Sequence, residues 1–277
     1  MKLSEMREIL SAHDIQLTKS LGQNFLHDTH QLQRIADAAE LTTLDKVLEI
    51  GPGLGPLTEL LISRAGEVLA IEMDRRLVAV LRKRFPQLNL VHDDALDFIR
   101  REPRDWSDWK LVANLPYSVA SPILVELAQC ERRPKLMTVT LQLEVAQRLM
   151  SRADDDDYGV LTLLVQLDYE PRGWFKIPAD CFFPSPNVDS ACVTLARREK
   201  PLLPDEHRAA FVKIVKRAFS QRRKMMMKLL KAEWPAEKLA NVFAELNISP
   251  QERAEKLSLE QFVELTRMLC RDAKSIS

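Results

Sequence analysis

The chain has 277 residues, 40 Lys and Arg against 40 Asp and Glu, and 46% hydrophobic side chains with 29% charged, a globular balance with length enough for two domains. Disordered, collagen-like and low-complexity classes are excluded; no apolar run approaches the roughly 18 residues of a membrane span, and the start MKLSEMREIL lacks the basic-then-apolar order of a secretory leader, so a cytoplasmic protein is expected. Cys130, Cys181, Cys192 and Cys270 form no CxxC pair and have no neighbouring histidine, which argues against a disulfide framework and against a metal site.

Residues 28–41 space Leu32, Ile35, Ala36 and Ala39 at helical intervals behind Asp28, a good N-cap, and predict a helix ahead of the first strand. KVLEI (46–50) then runs into a glycine turn and an amphipathic helix, and EVLAIEMD (67–74) reads as a second buried strand, which makes a β-α-β unit. The alternation continues through helix 75–85, strand 88–92, a helix near 95–101, strand 110–114, a helix near 122–130, strand 137–142 and helix 143–151. Such alternation requires a parallel sheet with helices on both faces. The acidic run Asp154 to Asp157 reads as a solvated loop, and strands near 160–169, 173–177 and 190–197 are expected to complete the sheet, the last two as an antiparallel edge pair. Beyond Lys200 the strand signal stops, and 205–219, 222–232, 235–245 and 258–270 have helical periodicity, with Asp205 and Ser258 as caps. The expected domains are therefore an α/β domain over 1–200 and an all-helical domain over 201–277, divided where PLLP interrupts the chain.

Charge divides the same way. Residues 1–199 carry 24 basic and 30 acidic side chains, whereas 200–277 carry 16 basic and 10 acidic. Lys213 to Lys231 holds eight basic residues and no acidic one. Acids ordinarily intersperse a solvated helix face, so an anionic partner is expected on this stretch, with Arg222, Arg223 and Lys224 as its densest cluster.

Only seven glycines occur in the chain, and three of them, Gly51, Gly53 and Gly55, lie within five residues where strand one turns into its helix. In open α/β sheets that turn is where ligands bind. The spacing is GxGxG, and Pro52 lacks the N–H that a pyrophosphate would want, so a cofactor without phosphate fits better than a dinucleotide. Glu72 ends strand two, where a carboxylate can accept both hydroxyls of a ribose, and Asp94 ends strand three, where it can accept an adenine amino group. In this order the three features outline a site for S-adenosylmethionine; singly, each also suits an ordinary strand–helix joint or a solvated strand end.

Strand four ends in Asn114-Leu115-Pro116-Tyr117, on the same sheet edge. An exocyclic base amine is a poor nucleophile because its lone pair is delocalised into the ring. The Asn114 side-chain oxygen and the Leu115 carbonyl, freed by Pro116, can each take one N–H and concentrate the lone pair on nitrogen without a titratable base. Tyr117 offers a face on which a flipped base can stack. Alone, the segment would read as a proline turn with a core tyrosine.

These residues carry a resemblance. Gly22 to Leu26 (GQNFL), Glu49 to Thr58 (EIGPGLGPLT), Glu72 to Asp74, Asp94-Ala95, Asn114 to Tyr117, Tyr158-Gly159, Phe182 to Ser190 (FFPSPNVDS) and Ala218 to Lys224 (AFSQRRK) follow one another as in the rRNA adenine N6-dimethyltransferases, above all the bacterial small-subunit (16S) enzymes, which the chain resembles over nearly its full length. The resemblance implies a class I, Rossmann-like methyltransferase sheet with a small helical C-terminal domain, S-adenosylmethionine as cofactor, an immature small ribosomal subunit as partner, and a monomer. It gives GQNFL a role in closing over the cofactor, with Asn24 and Leu26 joining Gly51, Gly53, Glu72, Asp94 and Asn114, and it assigns Phe182 to the face of the target adenine opposite Tyr117. Ser118-Val119-Ala120 and the MMMKLL after Lys224 depart from the family pattern. The implied activity is dimethylation of two adjacent adenines near the 3′ end of 16S rRNA. The related resistance methyltransferases of large-subunit rRNA, disfavoured by RRK and FFPSPNVDS, a non-catalytic assembly factor, and DNA amino-methylation, disfavoured by Leu115, are the alternatives.

Overall fold

The computed structural model describes residues 1–17, 23–101 and 104–271. It divides into two compact units, Met1–Ala146 with Glu170–Arg197, and Gln147–Tyr169 with the residues from Arg198 onward.

The first unit is built on a sheet in the order β4-β3-β2-β5-β6-β9-β7. Its strands are β2 (Lys46–Ile50), β3 (Glu67–Glu72), β4 (Asn89–His92), β5 (Trp109–Asn114), β6 (Leu136–Gln142), β7 (Tyr169–Ile177) and β9 (Ser190–Arg197). β2 to β6 are parallel, and β9 runs antiparallel to β6 with Gln142 opposite Ser190. Strands such as KVLEI and EVLAIE are buried beyond their first residue, as expected when helices cover both faces of a parallel sheet. α2 (Thr29–Ala38), α3 (Pro56–Arg64), α4 (Arg75–Arg84), α5 (Ala95–Arg101) and α6 (Ala120–Gln129) alternate with the strands, and α1 (Leu3–Ala12) precedes them. Asp28 caps α2 by accepting the Gln31 N–H at 2.8 Å. A small ladder pairs β1 (Phe25–Leu26) with β8 (Phe182–Phe183).

In the second unit α8 (Val160–Gln166), α9 (Asp205–Ala218), α10 (Met226–Leu230), α11 (Ala236–Glu245) and α12 (Leu259–Cys270) pack together. Ser258 caps α12 through a reciprocal pair with Gln261. Arg208 forks onto buried Asp168, and the Tyr158 hydroxyl donates to the Leu257 carbonyl at 2.9 Å.

Three expectations are corrected. The stretch 160–169 is not a strand: VLTLLVQ is helix α8, its N-terminal Gly159 N–H donating to Thr162 Oγ1 at 3.3 Å. A short, continuously apolar run has no period with which to choose between buried strand and buried helix, and here Thr162, Leu163, Leu164 and Val165 are all buried. As a consequence 147–169 belongs with the helical second unit rather than with the α/β domain drawn over 1–200. The helix expected over 222–232 begins only at Met226, so Arg222, Arg223 and Lys224 stand in the turn between α9 and α10.

Candidate active site

Parallel strands that all point one way bring their C-terminal ends to one edge, and there the first unit opens a cleft of about 1020 Å³, part of it open to solvent. Of the residues singled out in the sequence, Asn24, Gly51, Gly53, Glu72, Asp94, Asn114, Leu115, Pro116 and Tyr117 line it.

The glycine loop takes its shape from left-handed backbone at Gly51 (φ 67) and Gly53 (φ 62), a region that L side chains adopt with strain. A Cβ on Gly51 would lie 3.2 Å from the Pro116 ring, and one on Gly53 would lie 2.6 Å from the Phe25 ring. Two other segments of the cleft wall therefore rest directly on the loop.

Glu72 lies beside it, 6% exposed. One carboxyl oxygen accepts the Gly53 N–H at 3.1 Å and the other the Asp74 N–H at 2.9 Å. The carboxylate lines the cleft, and two acceptor oxygens suit a ligand with two adjacent hydroxyls. Burial holds the Glu72 carboxyl above its ordinary pKa, against the backbone N–H bonds of Asp74, Gly53 and Met73 that lower it. Glu49, at the end of β2, is more deeply buried; its Oε2 has no partner and burial pushes its carboxyl up to about 8.

Asp94 Oδ1 accepts the Leu96 and Asp97 N–H groups at 2.8 and 3.0 Å, capping α5, which leaves Oδ2 for a ligand amino group. Asp74 caps α4 and receives the Arg76 guanidinium, which holds its carboxyl down to about 2; the Gln23 amide donates to the same carboxylate at 2.9 Å.

At the end of β5 the Asn114 amide N–H donates to the Asn24 carbonyl at 3.0 Å. That bond fixes which way the amide points, and it turns Oδ1 inward, buried and without a partner. The Leu115 N–H is held by the Thr140 carbonyl at 3.0 Å, extending the ladder one residue past β5. The Leu115 side chain is buried, so its contribution to the cleft is its backbone. The Tyr117 hydroxyl lies 2.5 Å from Ser190 Oγ, which fixes its ring, and burial raises its pKa.

The structure does not bring every expected residue into the cleft. Phe182 is 2% exposed and packs in the core with Leu26, Leu32 and Ile35; it lines no part of the cleft wall. Leu26, opposite Phe182 in the β1–β8 ladder, is likewise a core side chain. An aromatic and a leucine next to polar motif residues carry no periodic signal that separates a wall from a core. Gly22 lies outside the described residues. Sequence reasoning in turn missed Gln23 and Phe25 as struts of the loop and of Asp74; the spacing of a loop residue says nothing about which strand end it reaches.

Arg222, Arg223 and Lys224 are exposed in the second unit. One bond tethers Arg222, whose guanidinium donates to the Asp156 carbonyl at 2.7 Å. Of the other cations in 213–231, Lys213 pairs with Glu233 and Arg217 donates to the Leu229 carbonyl.

Among the described residues no group of three or more His, Cys, Asp and Glu side chains could hold a metal ion. No helix there is long and apolar enough to cross a membrane.

The sequence pattern of the ribosomal RNA adenine dimethylase family matches residues 15–270. Ribosomal RNA small subunit methyltransferase A of Geobacillus sp. (strain WCH70) is 38% identical over 276 residues, covering 95% of each chain, and that of Pelotomaculum thermopropionicum is 40% identical, covering 94% of each. Among solved structures, a dimethyladenosine transferase from Plasmodium falciparum superposes with TM-score 0.75 at 25% identity, over 87% of this chain and 95% of that one. The 23S rRNA methyltransferase ErmE superposes with TM-score 0.68 at 29% identity, over 88% and 99%.

Gly53→Ala should lower thermal stability, because it adds left-handed strain of about 1 kcal/mol to a forced shift of the Phe25 ring. Gly173→Ala is the control, since a Cβ there meets nothing within 4 Å. Equal melting temperatures for the two variants would show that the loop and Phe25 are not in contact.

Proposed function

This chain belongs to the ribosomal RNA adenine dimethylase family, and we propose that it uses S-adenosylmethionine to dimethylate N6 of two adjacent adenines near the 3′ end of small-subunit rRNA during subunit assembly. The observation that carries the reading is Asn114 Oδ1, a buried acceptor with no partner at the rim of a cleft that also holds the Glu72 carboxylate. An unsatisfied buried acceptor costs about 1–3 kcal/mol, and an amine in the cleft would relieve that cost. The small-subunit assignment is supported by relatives of 38–40% identity named for that subunit, against 29% for ErmE.

The cleft residues fit the cofactor. The Glu72 carboxylate can accept ribose hydroxyls, Asp94 Oδ2 can accept an adenine amino group, and the bare Gly51 and Gly53 let the Pro116 and Phe25 rings of the cleft wall rest on the loop. Asn24 meets the site through the backbone carbonyl that orients Asn114, and Leu26 would contribute through its backbone. When bound, S-adenosylmethionine supplies a methyl group on a positively charged sulfur. Asn114 Oδ1 and the Leu115 carbonyl take the two N–H bonds of the target amine and hold its lone pair out of the ring, Pro116 keeps the Leu115 carbonyl out of the strand ladder, and Tyr117 stacks on the base. With Phe182 in the core, the opposite face of the base is left to another group, and Phe182 acts by supporting the β1 segment that carries Asn24. In the second unit, Arg222, Arg223 and Lys224 dock on rRNA phosphates.

Losing a hydrogen bond to a charged group costs about 1.5–3 kcal/mol, so Glu72→Ala should weaken S-adenosylmethionine binding by about ten- to a hundredfold in calorimetry. Because burial raises the Glu72 pKa and the hydroxyls need the carboxylate, wild-type affinity should fall as pH drops through that raised value, and Glu72→Gln should remove this fall. Unchanged affinity in folded Glu72→Ala would reject the site.

Asn114→Ala should slow single-turnover methyl transfer by about a hundred- to a thousandfold while RNA affinity changes little; near-wild-type turnover would sink the amine-clamp mechanism. If the basic turn reaches three phosphates, changing Arg222, Arg223 and Lys224 together to Ala should flatten the log-affinity against log-salt slope on a pre-small-subunit particle by roughly 2 to 3 units. An unchanged slope would return the turn to solvent.

A further inference from the structure

β7 is the far edge strand of the sheet, next to β9. Side chains alternate along a strand, so Arg172, Trp174 and Lys176 share one face while Phe175 points to the other. Phe175 packs against the core and carries the Arg34 guanidinium 3.9 Å above its ring. The opposite face is open: Arg172 and Lys176 are exposed, and Trp174 is 50% exposed, whereas Trp106 and Trp109 are 1% and 6% exposed. Edge strands are commonly guarded by charge and proline, and Arg172, Lys176 and Pro171 suffice for that. A large exposed indole between the two cations is what guarding does not require.

The stripe also leads somewhere. Lys176 Nζ pairs with Asp189 Oδ2 at 2.7 Å, Ser190 follows Asp189, and Ser190 Oγ lies 2.5 Å from the Tyr117 hydroxyl at the cleft. From Tyr117 the path thus runs through Ser190, Asp189 and Lys176 to Trp174 and Arg172. Among the described residues Arg172 has no acidic partner, which leaves its charge free for a phosphate. An aromatic face between cations, at strand spacing, is the arrangement with which proteins hold unpaired nucleotides: stacking supplies affinity without sequence preference and the cations track the backbone.

We propose that the outward face of β7, carrying Arg172, Trp174 and Lys176, is a docking track for the single-stranded nucleotides that flank the target adenine, with one base stacked on Trp174. The track rests on the methyl-transfer reading above and adds a second RNA contact, on the unit that holds the cleft.

The test uses the full-length protein with an unmethylated small ribosomal subunit, measuring RNA affinity, single-turnover methylation and S-adenosylmethionine affinity in parallel. Trp174→Ala should weaken RNA affinity by about five- to a hundredfold, Trp174→Phe should restore most of it, and both should bind S-adenosylmethionine like wild type. Arg172→Ala should flatten the salt slope by roughly one unit. RNA affinity in Trp174→Ala equal to wild type would overturn the track, as would a loss that Trp174→Phe does not restore. Self-association that disappears in Trp174→Ala, with RNA binding intact, would assign the face to a second copy of the chain and overturn it too. If wild type itself transfers no methyl group to the subunit, the methyl-transfer reading fails first and the track falls with it; a methylating wild type with an indifferent Trp174→Ala removes the track alone.

Discussion

The cleft depends on one buried carboxylate. A charge as sheltered as Glu72 is tolerated only when hydrogen-bonded, and its two N–H donors come from different places: Gly53 in the loop after β2 and Asp74 just beyond β3. That requirement ties the glycine loop to the end of β3. The tie spreads outward, because Gly53 carries Phe25 on its bare face, and Asp74 in turn receives Arg76 and the Gln23 amide. Residues from three separate stretches of sequence are thus organised by a single acceptor. Removing it would leave the Gly53 and Asp74 N–H groups unpaired, so the consequences would reach the loop and the end of β3 as well as the cleft.

Asn114 works by a different constraint. A carboxylate in its place would bring another negative charge into a cleft already lined by Glu72, Asp93 and Asp94, and it could not donate to the Asn24 carbonyl. The amide does both jobs with no charge. Its N–H anchors it to the N-terminal segment, and its oxygen faces inward unpaired. The same bond ties the segment containing Asn24 to the end of β5, although that segment precedes the sheet in the chain. Phe182 fits this picture as the buried residue directly opposite Leu26 in the β1–β8 ladder: it stabilises the strand that follows Asn24.

Much of this was legible because it rests on period and order. Apolar strands alternating with amphipathic helices define a parallel sheet, and in such a sheet Gly51, Glu72, Asp94 and Asn114 must end on one edge, whatever the packing detail. What was not legible depended on contacts between elements. Val160 to Gln166 is apolar throughout and could not declare its period. Phe182 and Phe183 are adjacent aromatics, and only the fold decides that the first is buried in the main core while the second lies partly covered with Arg7 above its ring. Arg222 to Lys224 fall in a stretch with helical periodicity, yet the chain turns there after Phe219 and the helix begins only at Met226.

The two ends of the parallel strands also divide the energetics. At the N-terminal ends, buried Asp45 accepts from Lys110 at 3.1 Å and Lys135 at 2.7 Å and from the Thr42 N–H, and these partners hold its carboxyl far below the ordinary range. Every polar group in that cluster is answered within the protein, and breaking such a buried pair typically costs about 3–5 kcal/mol. At the C-terminal ends, Asn114 Oδ1 and Glu49 Oε2 are buried and unanswered, each a cost of about 1–3 kcal/mol. The chain can keep such groups open at one edge because the opposite edge is fully satisfied. On this reasoning substitutions at Asp45 or Lys110 would destabilise the fold, whereas giving the acceptors around Asn114 a partner would remove a cost that the fold now carries.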